Sequence, residues 1–248
     1  MSPWKNYAPR PALLEGRVIL ITGTTRGIGR ALALGAARLG ATVLLHGRSK
    51  RTLEQLYDEV AAIGPEPAIA QLDFERAQGP EYQHLTEQIE SRYGRLDGLV
   101  HNAGILGDRS PIEHYDIGKW QRVMHVNVNA PFILTRCLLP LLKASADASL
   151  IFTTSGVGNR GRAYWGAYSV SKFATEGLAQ ILADELERTS VRVNLINPGP
   201  TRTDMRAQAY PAEDPETLKR PEEILGPYFF LLGPDSKGVT GKRIDCQG

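Results

Sequence analysis

Tyr168 and Lys172, four residues apart in the run GAYSVSKFA, form the pair in this chain best suited to move a proton, and Ser155 stands upstream of them. A phenol is a poor acid or base near neutrality, with an unperturbed pKa of about 10, so a reacting tyrosine needs a cation beside it to favour the phenolate. On a helix, positions i and i+4 share one face, which places Lys172 where that cation belongs. Lowering the phenol by about three units takes about 4 kcal/mol of differential interaction. A reaction that builds negative charge on a carbonyl oxygen needs a proton donor and a second hydrogen-bond donor aimed at that oxygen, roles that Tyr168 and Ser155 fit.

A second constellation opens the chain. In TGTTRGIG, Gly23, Gly27 and Gly29, with Thr25, Arg26 and Ile28 among them, fall between an apolar, largely β-branched run and a helical pattern. Missing side chains there let backbone amides approach a pyrophosphate at a helix N-terminus. The spacing is G-x-x-x-G-x-G rather than the usual G-x-G-x-x-G. Glycine turn and proton-moving residues together predict a nicotinamide-dependent oxidoreductase, in which an oxidised nicotinamide adds its positive charge to that of Lys172. After the second strand, where an acidic residue would clasp the ribose diol of NAD, the chain offers Gly47 and Arg48. Arg48 and Arg26 suit the 2′-phosphate of NADP, because guanidinium groups bind phosphate in charge-assisted forks. NADP is expected over NAD.

These residues need a scaffold. RVILITG, ATVLLHG, AIAQLD, LDGLVHNAG, SLIFTTS and VRVNLINPG read as strands, GKRIDCQG as a short seventh, and helical patterns fall between them. One helix is expected from Lys119 to Lys143 with Pro140 breaking it near its end, and another through YSVSKFATEGLAQILADELER. The alternation predicts an α/β fold: a Rossmann-type doubly wound parallel sheet of about seven strands, helices on both faces, in a single domain. Residues 1–16 are expected to be an extended lead-in packed on the domain edge, residues 17–248 the catalytic domain, and residues 204–222 a lid over the pocket.

Taken in order, TGTTRGIG, the NAG of Asn102, Ala103 and Gly104, Asn127, Ser155, Tyr168, Lys172 and NPGPTRT resemble the short-chain dehydrogenase/reductase family from Arg17 onward. Within it the chain looks closest to a bacterial group of uncharacterised cytoplasmic oxidoreductases. The resemblance implies that Lys172 hydrogen-bonds the nicotinamide ribose and that Asn127 holds a proton-relaying water, with Asn129 the alternative in another register. It implies that Asp73 contacts adenine and that Asn102, Ala103 and Gly104 pack beside the adenosine ribose. Pro198 and Gly199 would turn the chain so that Thr201 and Thr203 meet the nicotinamide side and the diphosphate. His101 departs from the asparagine usual before NAG. The family also implies dimers or tetramers built on the catalytic helix. Ser155, Val157, Trp165 and Met205 are the candidate substrate contacts, with Tyr164 and Gly156 beside them; Tyr164 and Trp165 fit a subunit interface equally well.

The expected partner is a small-molecule carbonyl or alcohol. An acyl-carrier-protein thioester is the rival substrate, with Arg160, Arg162 and Arg202 to meet an acidic carrier, and a non-catalytic NADP-binding sensor is the rival of another class. The net charge of +2 comes from interspersed residues, without a basic block, which argues against nucleic acid. Cys137 and Cys246 show no paired spacing and the five histidines no ligand spacing, so neither a disulfide framework nor a catalytic metal is expected. The apolar runs are far shorter than a bilayer span, so no membrane role is expected, and the cytoplasm is the expected compartment.

Overall fold

The computed structural model describes residues 3–247, so Met1, Ser2 and Gly248, at the outer ends of the two expected segments, lie outside the described residues. Seven strands form one parallel sheet: β1 (Val18–Ile21), β2 (Thr42–Gly47), β3 (Ala68–Gln71), β4 (Gly98–His101), β5 (Ala148–Thr153), β6 (Val191–Asn197) and β7 (Arg243–Asp245). Their order is β3-β2-β1-β4-β5-β6-β7. It reverses direction between β1, whose Leu20 pairs with Leu44 of β2, and β4, where the same Leu20 meets Leu99. At such a switch point the crossovers leave to opposite sides and open a crevice beyond the carboxyl ends of the strands.

Strands buried on both faces must be apolar throughout, and alternate residues feed two cores. Leu20, Leu44, Leu99, Leu150 and Val193 pack under α3 (Gly79–Tyr93), α5 (Ala130–Lys143) and α6 (Gly166–Glu185). Ile19, Val43, Leu45, Val100 and Ile151 pack against α1 (Gly27–Arg38), α2 (Lys50–Ala61) and α8 (Gly226–Leu232). Two short helices complete the fold, α4 (Ile117–Met124) and α7 (Asp204–Ala209). Local signals set the helix ends. Ser49 caps α2 through the Thr52 amide, and Gly94 ends α3 at φ 68°.

Three expectations change. The helix expected from Lys119 to Lys143 begins at Ile117 and is interrupted by a π-helical turn, His125–Asn129, and Pro140 does not break it: α5 continues to Lys143. Pro140 is exposed and in the last turn, where the helix tolerates the donor that its ring removes. Residues 3–16 are not an extended lead-in. They run through turns that bury Leu13 and Leu14 in the core and set Tyr7 edge-on to Phe230 at 5.3 Å, while the Tyr7 hydroxyl and Arg10 both reach Asp235 at 2.7 Å. Ser155 lies just past β5, as the cap of a short 3-10 turn, Gly156–Gly158.

Candidate active site

A cavity of about 520 Å³ lies at the switch point, lined from the first turn by Gly23, Thr25, Arg26, Gly27 and Ile28 and at its far end by Tyr168 and Lys172. The glycine turn is built by close approach. Gly23 has φ 72°, and a Cβ there would stand 3.0 Å from Cα of Ala103; at Gly29 a Cβ would fall 2.5 Å from Asn102 Nδ2. Only glycine leaves this cradle open. Thr22 locks the far wall, accepting hydrogen bonds at 3.0 Å from the amides of Asn102 and Ala103, and Asn102 Nδ2 donates to the Thr22 carbonyl at 3.0 Å. The floor includes Asp73, Gly104 and Pro198, and Thr203 and Met205 close one side.

Not every candidate reaches the cavity wall. Gly29 sits behind the turn, and Gly199 lies off the wall beside Gln247. Thr201 is buried with its hydroxyl donating to the Gly199 carbonyl at 3.2 Å. His101 turns away altogether. It stacks on Phe152 at 4.7 Å, bonds Thr135 Oγ1 through Nε2 at 2.8 Å, and burial pushes its imidazole down to about 3. Several lining residues escaped sequence reasoning: His46, Ser49, Thr52, Glu75, Val126 and Thr154. Ser49 carried a usable signal, since a serine before a helical run is a cap whose hydroxyl faces the same space as the helix N-terminus.

Glu75 carried none, yet it organises the end of the cavity that bears Arg48. Its carboxylate takes two hydrogen bonds from Arg122 of α4, at 2.9 and 2.7 Å, and one from Arg48 at 3.1 Å. These guanidinium groups hold its carboxyl below the ordinary range, with the Arg122 hydrogen bond the largest cause. Arg26 pairs with Asp204 across the mouth at 3.2 Å. Both arginines expected to meet a 2′-phosphate therefore line the cavity, each beside a carboxylate.

At the other end, Tyr168 is buried, with Ser155 the side chain that acts on its hydroxyl. Desolvation pushes its hydroxyl up to about 12, against the lowering effect of Ser155. Any lowering by Lys172 is outweighed by burial here. The Lys172 ammonium donates to the Thr153 carbonyl at 2.7 Å and stands 5.6 Å from the Tyr168 ring centre, and burial lowers its own pKa to about 8. In this state burial prevails and Tyr168 is a neutral phenol, fit to donate a proton.

Asn127, rather than exposed Asn129, faces inward from the π-helical turn. Its side chain is spoken for: Oδ1 accepts from the Ile105 amide and Nδ2 donates to the Ile105 carbonyl, both at 2.9 Å, and to Ser171 Oγ at 3.0 Å. Beyond Tyr168, Val157, Trp165, Leu106 and Ala209 form a small apolar cluster with Met205. Trp165 packs 5.8 Å from Tyr168 and 5.8 Å from Tyr210, and Arg109 lies over both Trp165 and Tyr210 while donating to the Ala209 carbonyl at 2.5 Å. Tyr164 points outward. Arg202 is forked onto Glu216, leaving Arg160 and Arg162 as the exposed cations of the acyl-carrier reading without ion-pair partners among the described residues. No cluster of three or more acidic, histidine or cysteine side chains fit for a metal, and no helix long and apolar enough to cross a membrane, occurs among the described residues.

Residues 17–214 match the family model for short chain dehydrogenase. The uncharacterised oxidoreductase YciK of Escherichia coli is 49% identical over 98% of this chain and 96% of its own length. A short chain dehydrogenase structure from Pseudomonas syringae shares 54% identity over 98% of this chain and 99% of that one, with a TM-score of 0.96. Another, from Escherichia coli CFT073 and complexed with NADPH, is 50% identical over 97% of this chain and 100% of that one, with a TM-score of 0.94.

Proposed function

The chain belongs to the short chain dehydrogenase family, and from that premise we propose that it is an NADP(H)-dependent oxidoreductase interconverting a carbonyl and a secondary alcohol on a small molecule. The observation that carries this reading is the meeting of Tyr168 and Lys172 at the end of a cavity whose other end is the glycine cradle, with Ser155 beside Tyr168 just off the cavity wall. The cradle fits a dinucleotide, because Gly23 and Gly29 let the turn close against Ala103 and Asn102, which keeps the α1 N-terminus bare beside the cavity, where a pyrophosphate would lie. Arg48, Arg26 and the Ser49 cap support the 2′-phosphate form, as does the NADPH complex of the relative from Escherichia coli CFT073. NADPH, when bound, supplies the hydride.

The chain's own residues do the rest. Tyr168, protonated across the neutral range, gives its hydroxyl proton to the developing alkoxide, while Ser155 donates a hydrogen bond to the same oxygen. Lys172 contributes a positive charge that stabilises the phenolate left behind, and Asn127, on the π-helical turn, would hold the water that relays protons back to it. In the oxidation direction Tyr168 must begin as phenolate, a form that burial opposes and that a neighbouring positive charge favours. Trp165, Val157 and Met205 form an apolar wall for the substrate, and the segment 204–222 is the lid, tied down through Arg109. The same reading includes self-association through exposed Phe132, Val170, Phe173 and Ile181 on α5 and α6, and work in the cytoplasm, where free Cys137 and Cys246 stay reduced.

NADPH oxidation against ketones, aldehydes, quinones and a β-ketoacyl thioester, with NADH and Tyr168→Phe in parallel, tests the proposal. Turnover that prefers NADPH and falls by about 100-fold or more in Tyr168→Phe is expected. Full turnover in Tyr168→Phe would remove the assigned acid.

A further inference from the structure

Behind the reacting residues lies a buried carboxylate that the mechanism above does not use. Glu176 stands one turn beyond Lys172 on α6, with its side chain 11% exposed. Its Oε1 accepts from Thr154 Oγ1 at 2.7 Å and from Arg243 Nε at 3.1 Å. Arg243, on β7, also donates to the Ser155 carbonyl at 3.2 Å and to Asp245 at 2.8 Å. The junction is tight. A Cβ added at Gly158 would stand 2.6 Å from Thr154 Oγ1, 2.9 Å from Glu176 Oε1 and 3.1 Å from Cβ of Lys172, so one small volume joins the carboxylate, the serine-bearing turn and the lysine.

Lys172 has no ion-pair partner within reach among the described residues and spends a hydrogen bond on the Thr153 carbonyl. A buried ammonium without a counter-charge tends to lose its proton. Around it, the titratable or charged groups are Tyr168 and Glu176 on its own helix, His101 on β4 and Arg243 on β7; the π-helical turn and β5 meet it with Asn127 and Thr153. Of these, Glu176 is the anion that raises the lysine's proton affinity.

We propose that Glu176 is a positioning residue for the reaction: held by Thr154 and Arg243, it supplies the counter-charge for the Lys172 ammonium and fixes the Thr154–Gly158 turn that presents Ser155. The inference rests on Lys172 belonging to the reacting site, but its test needs no turnover, so failure of the reaction assignment is seen separately in the NADPH assays.

Lysine ε-carbon NMR of the full-length, cofactor-free protein reads the Lys172 titration, with the resonance assigned by its loss in Lys172→Met. Glu176→Gln keeps an acceptor for Thr154 and removes the charge; its Lys172 midpoint is expected to fall by about one pH unit, a tenfold change in the protonation equilibrium. Arg243→Gln removes a cation that competes for Glu176, and its midpoint is expected to rise. A purely structural role would not move the two in opposite directions. A folded Glu176→Gln protein with an unmoved midpoint overturns the proposal. Should that variant fail to fold, Arg243→Gln decides alone, and an unchanged or lowered midpoint there is the contrary result.

Discussion

At the amino ends of the strands Arg17, Asp97, Asp147 and Arg192 form one paired network in which only Arg17 Nε is left over, whereas at the carboxyl ends Lys172 lacks an ion-pair partner among the described residues and Tyr168 lies protonated in a cavity wall. Arg192 Nε meets Asp147 at 2.9 Å, its Nη1 donates to the Leu231 carbonyl at 2.9 Å and Ser236 Oγ at 2.6 Å, and its Nη2 to the Gly233 carbonyl at 3.5 Å. Asp97 accepts from the Val18 amide at 2.9 Å and from Ser145 Oγ at 2.6 Å, and Arg17 bonds the Asp97 carbonyl at 3.1 Å. That network clamps α8 and the starts of β1 and β5. One sheet therefore separates two tasks: charges at one end hold elements together, and polar groups at the other stay available for a ligand at some cost in stability.

The largest effect separating the two ends is expected at Arg192. Arg192→Ala leaves Asp147 with Arg17 alone and leaves the Leu231 and Gly233 carbonyls to share the Ser236 hydroxyl, and should lower stability by about 3 kcal/mol or more. Chemical denaturation reads the loss, and NADPH affinity of the folded fraction should stay close to wild type. A variant as stable as wild type would remove the clamp from the comparison.

Lys172→Met should act in the opposite direction. The ammonium's pKa falls from 10.5 in the unfolded chain to about 8 when buried, a shift worth about 3 kcal/mol, from which the lost hydrogen bond to Thr153 subtracts about 1 kcal/mol. The sign follows from proton binding. Below about pH 8 both states are protonated and the folded state bears the whole desolvation cost; as pH rises from about 8 towards 10.5 the folded lysine deprotonates first and the cost fades. The variant should thus be more stable than wild type by about 2 kcal/mol at pH 7, with a shrinking advantage above pH 8, and should turn over poorly. Denaturation midpoints at pH 7 and pH 10 check both halves.

A smaller effect is expected at Glu75, which shares Arg48 with the proposed phosphate. Glu75→Gln frees Arg48 and removes a nearby negative charge, so NADPH should bind several-fold tighter while NADH is little changed, as read by fluorescence titration. Weaker NADPH binding would mean that Glu75 serves mainly to aim Arg48.

Much of this was legible in the sequence, for physical reasons. Continuous apolar runs such as RVILITG betray strands buried on both faces, and the glycine turn shows itself because backbone approach forbids side chains at Gly23 and Gly29. Tyr168 and Lys172 were visible as a helical i,i+4 pair. Features that depend on partners distant in sequence were not: Glu75 with Arg122, and Glu176 with Thr154 and Arg243, are joined only once β3, α4, β5, α6 and β7 have assembled. Neither does composition reveal that a Pro-rich start buries Leu13 and Leu14, since turns place single leucines in a core without any periodicity. The π-helical turn around Asn127 likewise follows from its side-chain bonds to Ile105, which no helical pattern encodes.

Titrating the protein with NADPH and NADH, alongside Arg48→Ala, tests directly whether the carboxyl end of the sheet is a phosphorylated dinucleotide site ending at Tyr168. The expected result is NADPH binding at least about tenfold tighter than NADH, a difference of about 1.4 kcal/mol, with Arg48→Ala reducing that preference and leaving NADH binding intact. Equal affinity for the two cofactors in the wild-type protein, or no binding of either, would contradict it.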